Sequence, residues 1–266
     1  MPAVQMIRLR AQIGELAWQF TRPGEFQLAL TDLFNYYSER SYRPGQAAQP
    51  ISLSPMYHLP PLILRQLALD LSPYCLENPS AALALADMLW KDSYLEPRLL
   101  AVTLLGHLPL QSVEPLIERL QSWCQPGENK ELLAAIFQQG TRKMRSQMPE
   151  RWLTIIKGWL NDTGTAFQAM GLRALLPMIQ DRDYDNLPPI FSSISPLLQS
   201  APAPIQVELI EVISALARRT PKETVYYLRQ VLTVAQGTAA ARLIRKTLPA
   251  FDAEGQASLK SVLHLR

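Results

Sequence analysis

The chain has 266 residues, of which 48% are apolar and 18% are charged, a composition typical of a globular protein and not of a disordered one. Only 11 Gly stand against 22 Pro, which favours helices that begin at prolines over a Gly-rich sheet protein. The net charge of +3 is too small to indicate a polyanionic partner by itself, although residues 205–266 hold 9 Lys and Arg against 5 Asp and Glu.

Cysteine usage and the apolar runs predict a protein of the cytoplasm. Cys75 and Cys124 have no metal-ligand spacing around them, so we expect two reduced, buried thiols. No basic segment followed by an apolar stretch opens the chain, and no apolar run reaches the ~18 residues that span a bilayer. We therefore predict a cytoplasmic location and no contact with a membrane.

Apolar residues recur at helical spacing along most of the chain. Within 204–218, Ile205, Leu209, Val212 and Leu216 form one stripe, and no Asn-Gly or Asp-Gly hairpin turn occurs anywhere. Prolines mark the points at which helices can begin, because the first turn has no partner for its N–H groups. The predicted helices are, in chain order, 3–19, 23–39, 60–75, 79–91, 95–108, 112–124, 128–145, 149–160, 164–178, 184–199, 204–218, 221–235, 238–249 and 253–264.

The helix pairs recur about every 30–40 residues, which is the range of HEAT-type repeats. Leu-Pro steps at 108–109, 176–177 and 248–249 are expected to end helices. The one long interruption is a loop at about 40–57, for which a functional role and a tolerated insertion both remain open. We predict an all-α fold over 1–266, a single α–α superhelix of HEAT-like or armadillo type with about 14 helices in about 7 antiparallel pairs and a concave surface.

Motifs for metal, nucleotide or hydrolytic chemistry are missing. His58, His107 and His264 are scattered, and none has a second His or Cys at ligand spacing. The phosphate-binding loops and the serine-hydrolase elbow are also absent. We therefore predict no metal site and no cofactor.

A first basic segment could contact nucleic acid. Its members are Arg142, Lys143, Arg145 and Arg151, with Trp152 and Trp159 nearby. Cations interleaved with aromatics suit phosphate contacts and base stacking. The alternative is a solvated helix end with both tryptophans in the core, since residues seven apart share one helix face.

A second basic group lies near the C-terminus. Arg242, Arg245 and Lys246 stand at i, i+3 and i+4, so they must cluster on one face of their helix. That face could follow phosphates, or it could be the solvated side of an end repeat.

Two stretches have the pattern of helical repeats from a known family. They are residues 88–101, MLWKDSYLEPRLLA, and Trp159-Leu160-Asn161-Asp162 followed by Phe167-Gln168-Ala169. The first resembles an early repeat, and the second a later repeat, of the HEAT-like DNA alkylation-repair glycosylases. The resemblance covers about residues 60–250. It implies the helical-repeat fold and a DNA-binding concave surface.

The family's activity segment, of the type Trp-Trp-Asp-x-x-Asp, has its nearest counterpart at 122–128, SWCQPGE. Trp123 matches one aromatic, but no Asp follows at the right spacing, and the family's Arg falls at Ala169, one turn before Arg173. The resemblance thus implies a degenerate catalytic motif, with Trp90 and Trp123 as candidate groove aromatics. An enzyme would need a carboxylate beside them, from Asp92 or Glu128.

Three hypotheses follow for the function. The first is a non-enzymatic or catalytically degenerate scaffold that binds a macromolecule, DNA being one candidate, on its concave face. The second is a DNA glycosylase that excises alkylated bases, and the third is a protein–protein scaffold without affinity for nucleic acid. The candidate partners are therefore duplex DNA and another protein, and the oligomeric state is not predicted.

Overall fold

A computed structural model describes residues 5–38, 54–111, 113–234 and 238–264, and it is all-α, with no strand among them. Residues 40–53 of the predicted loop lie outside the described residues. The α-helices of the described residues are α1 Met6–Ala17, α2 Pro23–Tyr37, α3 Pro61–Glu77, α4 Pro79–Trp90, α5 Leu95–His107, α6 Glu114–Trp123, α7 Lys130–Ala135, α8 Arg142–Gln147, α9 Pro149–Leu160, α10 Thr165–Gln180, α11 Pro188–Ser200, α12 Gln206–Arg219, α13 Pro221–Val234, α14 Thr238–Thr247 and α15 Ala253–His264.

Prolines open many of these helices, as predicted. A proline at the first or second position has no N–H to leave unpaired, and its fixed φ suits the helix. The helices that begin in this way include α2, α3, α4, α6, α9 and α11. The predicted all-α fold is confirmed, because the observed helices follow the predicted ones closely in order and extent.

Two local predictions were wrong. Residues 128–145 do not form one helix, because a π-helical segment, Ile136–Gly140, separates α7 from α8. The Leu-Pro step at 176–177 does not end a helix either, since Pro177 lies inside α10. The helix continues to Gln180, and Arg219 of α12 donates hydrogen bonds to two carbonyls of its last turn, those of Met178, at 3.3 Å, and Ile179, at 2.7 Å.

The chain divides into two compact units, Met1–Lys143 and Met144–Arg266. In the N-terminal unit, α1, α3, α5 and α7 succeed one another in one layer, and α2 and α4 lie in a second. In the C-terminal unit, α10, α12 and α14 form one layer, and α9, α11, α13 and α15 form the other. Within each unit the helices thus pack on neighbours one or two positions along the chain, which is the pattern of an α–α superhelix.

Each unit encloses its own apolar core. Phe20, Phe26 and Phe34 are buried in the N-terminal unit, and Trp152 is buried in the C-terminal unit. Cys75 and Cys124 are buried and unpaired, as predicted. None of the helices in the described part of the chain has the length and apolar character needed to cross a bilayer.

Candidate nucleic-acid interface

The two tryptophans selected from the sequence contact each other. Trp90 is the last residue of α4, and Trp123 is the last residue of α6. Their rings lie parallel, with centroids 4.2 Å apart and an interplanar angle of 4°. Trp123 is 5% exposed, so this ring belongs to the core. The C-terminal ends of α4 and α6 therefore meet through a stacked indole pair.

Arg98 of α5 covers the other face of Trp90. Its guanidinium carbon lies 4.2 Å from the centroid of the indole ring. Because Trp123 already occupies one face, the guanidinium must lie over the opposite one. A cation over an indole is attracted by the negative face of the ring, which adds to the stacking. Both faces of Trp90 are thus filled by the protein's own side chains.

Glu128 forms an ion pair with Arg98, the guanidinium of this stack. Its Oε2 lies 2.5 Å from Nη2 of Arg98, and the two side chains are only 19% and 14% exposed. Its Oε1 accepts the backbone N–H of Asn129 at 2.7 Å, just before α7 begins. The carboxylate nearest to the tryptophans is therefore held by one guanidinium and one peptide group. Burial, and then the charge of Glu128, raises the pKa of the Cys124 thiol to about 12.

Asp92, the second candidate carboxylate, holds the turn between α4 and α5. It accepts a hydrogen bond from the backbone N–H of Tyr94 at 2.9 Å and one from the side-chain amide of Gln27 at 3.0 Å. This arrangement satisfies both carboxylate oxygens within the fold. Asp92 thus links α2 to the turn that precedes α5.

Sequence reasoning missed a buried carboxylate beside this turn. Glu96, in the first turn of α5, is 3% exposed, and its Oε2 accepts the backbone N–H of Tyr57 at 3.0 Å. Tyr57 also stacks on Tyr94, with ring centroids 4.2 Å apart, and burial raises the pKa of its hydroxyl. The only sequence signal was an acidic residue in the first turn of a helix, where the helix dipole favours it.

The first basic segment is only partly at the surface. The Nζ of Lys143 donates hydrogen bonds to the carbonyls of His107, at 2.5 Å, and Leu108, at 3.1 Å, which end α5. Arg145 is 8% exposed, whereas Arg142 and Arg151 are exposed. Lys143 therefore serves at least in part to satisfy a helix end.

The tryptophans of this segment lie in the core. Trp152 is fully buried and Trp159 is 9% exposed, with the rings edge to face at 5.7 Å. This placement matches the alternative in which both tryptophans pack inside.

The second basic group is fully at the surface. Arg242, Arg245 and Lys246 are exposed on α14. Arg245 donates to the carbonyl of Leu263 at 3.3 Å, and Lys246 donates to Oε1 of Gln206 at 3.4 Å. These hydrogen bonds are long and to neutral acceptors, so the positive charge of the group is not neutralised by them.

Arg173 is bound within the C-terminal unit. Its Nη2 lies 2.5 Å from Oε1 of Glu208, which is part of α12 and only 8% exposed. The pair links α10 to α12, one turn beyond Ala169. Arg173 therefore stabilises the contact between two successive helices of one layer.

No cluster of three or more His, Cys, Asp or Glu that could hold a metal ion occurs in the part of the chain that the structure describes.

Comparison with known proteins gives one match. A family model described as DNA alkylation repair enzyme matches residues 61–247. That range runs from α3 to α14 and includes the tryptophan stack and the whole second basic group. No curated protein and no solved structure matched the chain.

Proposed function

Because the chain belongs to the DNA alkylation repair enzyme family, we propose that it is a DNA-binding helical-repeat protein that has lost the chemistry of base excision. The family supports a function related to DNA. The loss of excision chemistry, and the surface that binds DNA, are the parts of this proposal that need a test.

The closed tryptophan stack is the observation that carries the proposal. An enzyme that captures a cationic alkylated base needs an open aromatic face and a carboxylate that is not already paired with a cation of the protein. Here Trp123 and Arg98 cover the two faces of Trp90, and Glu128 is already paired with Arg98. The protein's own guanidinium thus occupies the position where a planar cation would bind.

We place the main contact with the phosphate backbone on α14. Arg242, Arg245 and Lys246 project from one helix face with their charge exposed, and such a row can contact successive phosphates. Arg142 and Arg151, which are exposed in the N-terminal and C-terminal units respectively, are secondary candidates. Lys143 and Arg145 are expected to contribute less, because one caps a helix and the other is buried.

The test is binding of a fluorescent DNA duplex across a salt series. The triple variant R242A/R245A/K246A is expected to lower affinity at least about tenfold and to reduce the slope of log K against log salt by about three. A matched control, K222A/R229A/K260A, removes the same charge from exposed positions on α13 and α15, in the other layer. Equal losses of affinity in the two variants would mean that net charge alone accounts for the effect, which would contradict the proposed surface.

A glycosylase remains the second candidate. Glu128 is paired with Arg98, which lies over Trp90, so a carboxylate is present near the tryptophan pair. The same duplex carrying an alkylated base distinguishes the two functions. Release of the free base by the wild-type protein would overturn the loss of chemistry while retaining the DNA-related function. Absence of binding even at low salt would overturn both and leave a protein–protein scaffold.

A further inference from the structure

Arg242 is the central one of the three cations that α14 carries. Helical spacing places it about 60° from Arg245 and about 40° from Lys246 around the helix axis, on the side that lies between the two. All three side chains are exposed, and the sequence of α14 contains no acidic residue. The outer face of α14 is therefore a fan of three positive charges with Arg242 in the middle.

The two outer cations contact neighbouring helices, whereas Arg242 does not. Arg245 donates to the carbonyl of Leu263 in α15, and Lys246 donates to the side-chain oxygen of Gln206 in α12. Arg242 makes no hydrogen bond, ion pair or ring contact within the described residues. Its guanidinium therefore keeps all of its N–H donors for a ligand.

Side chains, and not the backbone of α14, are what this surface presents to a ligand. Ala240, Leu243 and Ile244 are fully buried, and α14 packs against α11, α12 and α13. Ala239, three residues before Arg242 and near it on the helix surface, is small and half-buried. Arg242 is thus the long side chain that projects from the middle of the fan.

The minor groove of a DNA duplex suits a single arginine between two phosphate contacts. This groove is about 6 Å wide and admits one side chain, whereas the major groove, about 12 Å wide, admits a whole helix. On the floor of the minor groove A·T pairs offer only acceptors, and a guanidinium offers only donors. A G·C pair adds the amino group of guanine, which is a donor and opposes a guanidinium.

We propose that Arg242 enters the minor groove and makes the protein prefer A·T-rich duplex DNA, while Arg245 and Lys246 bind phosphates at the two edges of that groove. This inference rests on the proposed binding of DNA by α14 and adds a sequence preference to it. Narrow A·T tracts have the more negative minor groove, which attracts arginine. A guanidinium is also more weakly hydrated than an ammonium, so it loses less hydration on entering a narrow groove.

Three duplexes of equal length test which groove is bound. One has only A·T pairs, one has only G·C pairs, and one has inosine·cytosine pairs, which keep the major-groove acceptors of G·C but lack the minor-groove amino group. Fluorescence anisotropy at a single salt concentration should show that wild type binds the A·T and inosine duplexes at least about fivefold more tightly than the G·C duplex. Equal affinity for all three, or an inosine duplex that binds like G·C, overturns the inference and leaves the binding of DNA in place.

A pair of conservative variants tests Arg242 itself. Arg242→Lys keeps the charge, so it should retain the salt dependence of binding, but the preference for A·T should fall below about twofold. The control is Arg218→Lys, the same exchange at an exposed position of α12, which should keep the wild-type preference. A preference that survives in Arg242→Lys, or that falls equally in both variants, overturns the role of Arg242. Absence of binding to every duplex at low salt would instead contradict the proposed function.

Discussion

At the scale of single residues, Arg98 is the side chain on which the tryptophan stack depends. Its guanidinium joins Trp90 to Glu128, and all of these groups are shielded from water to some degree. Replacing Arg98 by Ala leaves the Glu128 carboxylate partly buried without its partner. We expect the free energy of unfolding to fall by about 2–3 kcal/mol, measured by urea denaturation.

A double variant separates the ion pair from the packing of Arg98. Glu128→Gln removes the charge of the partner, so the further change Arg98→Ala should then cost less than it does alone. Arg98→Lys should give an intermediate loss, because an ammonium keeps the charge but not the flat stacking surface. Strictly additive losses for Arg98 and Glu128 would contradict the coupling that the geometry implies.

The lowered pKa of His107, at the end of α5, predicts how the free energy of unfolding changes with pH. Burial is the first cause that lowers the pKa of this imidazole below 6.5, followed by the charges of Lys143 and Arg142. The unfolded chain therefore binds a proton at a higher pH than the folded chain does. The free energy of unfolding should fall as the pH drops below about 6.5, since protonation favours the unfolded state.

The variant His107→Gln isolates this effect. Urea denaturation at about pH 7 and about pH 5 should show a smaller loss on acidification in the variant than in the wild type. The same pH dependence in both proteins would mean that carboxylates, and not His107, dominate the acid range.

At the scale of helices, side chains from distant parts of the sequence cap the ends of α5 and α10. Lys143 donates to the carbonyls of His107 and Leu108, and Arg219 donates to those of Met178 and Ile179. Each cation comes from a helix 35 to 41 residues further along the chain. The last carbonyls of a helix need such partners when water is excluded from them.

Arg219→Met tests this capping in the C-terminal unit. Methionine retains the apolar stem of Arg219 but gives no hydrogen bond to the end of α10, so we expect a loss of about 2–3 kcal/mol. The exposed neighbour Arg218 is the matched control, and Arg218→Met should stay within about 0.5 kcal/mol of wild type. Hydrogen exchange should rise at residues 176–184 in the first variant alone.

The helices were predictable because their signals are local. Prolines at helix starts and apolar stripes are read within one turn or two, so nearly every helix was placed from the sequence. The π-helical segment was not. It lies close against α5, where a Cβ on Gly106 would come within 2.2 Å of the carbonyl oxygen of Gln139. This close approach of two backbones has no signature within 136–140.

For the site, the sequence predicted single residues but not the contacts between them. Trp90 and Trp123 were identified through the family resemblance, but their contact with each other was not predicted. Arg98 and Glu128 stand 30 residues apart, and Tyr57 and Glu96 stand 39 apart, so only the fold brings each pair together. The DNA-binding role of the basic groups stays a prediction.

At the scale of the whole molecule, the chain divides into two compact units. Within each unit, a helix contacts mainly the next one or two along the chain. Stability in such an architecture is a sum of local terms and contacts between neighbours. A local change should therefore spread to adjacent helices and fade with distance along the sequence.

Gly106→Ala provides the test of this locality. The new methyl group would meet the Gln139 carbonyl at 2.2 Å, and because that atom is backbone, α5 and the π-helical segment must move apart. We expect a loss of about 1–3 kcal/mol, as for overpacking in other cores. Hydrogen exchange should accelerate in α5, α7 and the π-helical segment, and it should stay unchanged at residues 206–264.

Gly158→Ala in α9 is the control, because its methyl group meets nothing within 4 Å and should stabilise the helix slightly. Faster exchange throughout residues 206–264 in Gly106→Ala would show that the two units unfold as one cooperative body, against the local packing described above.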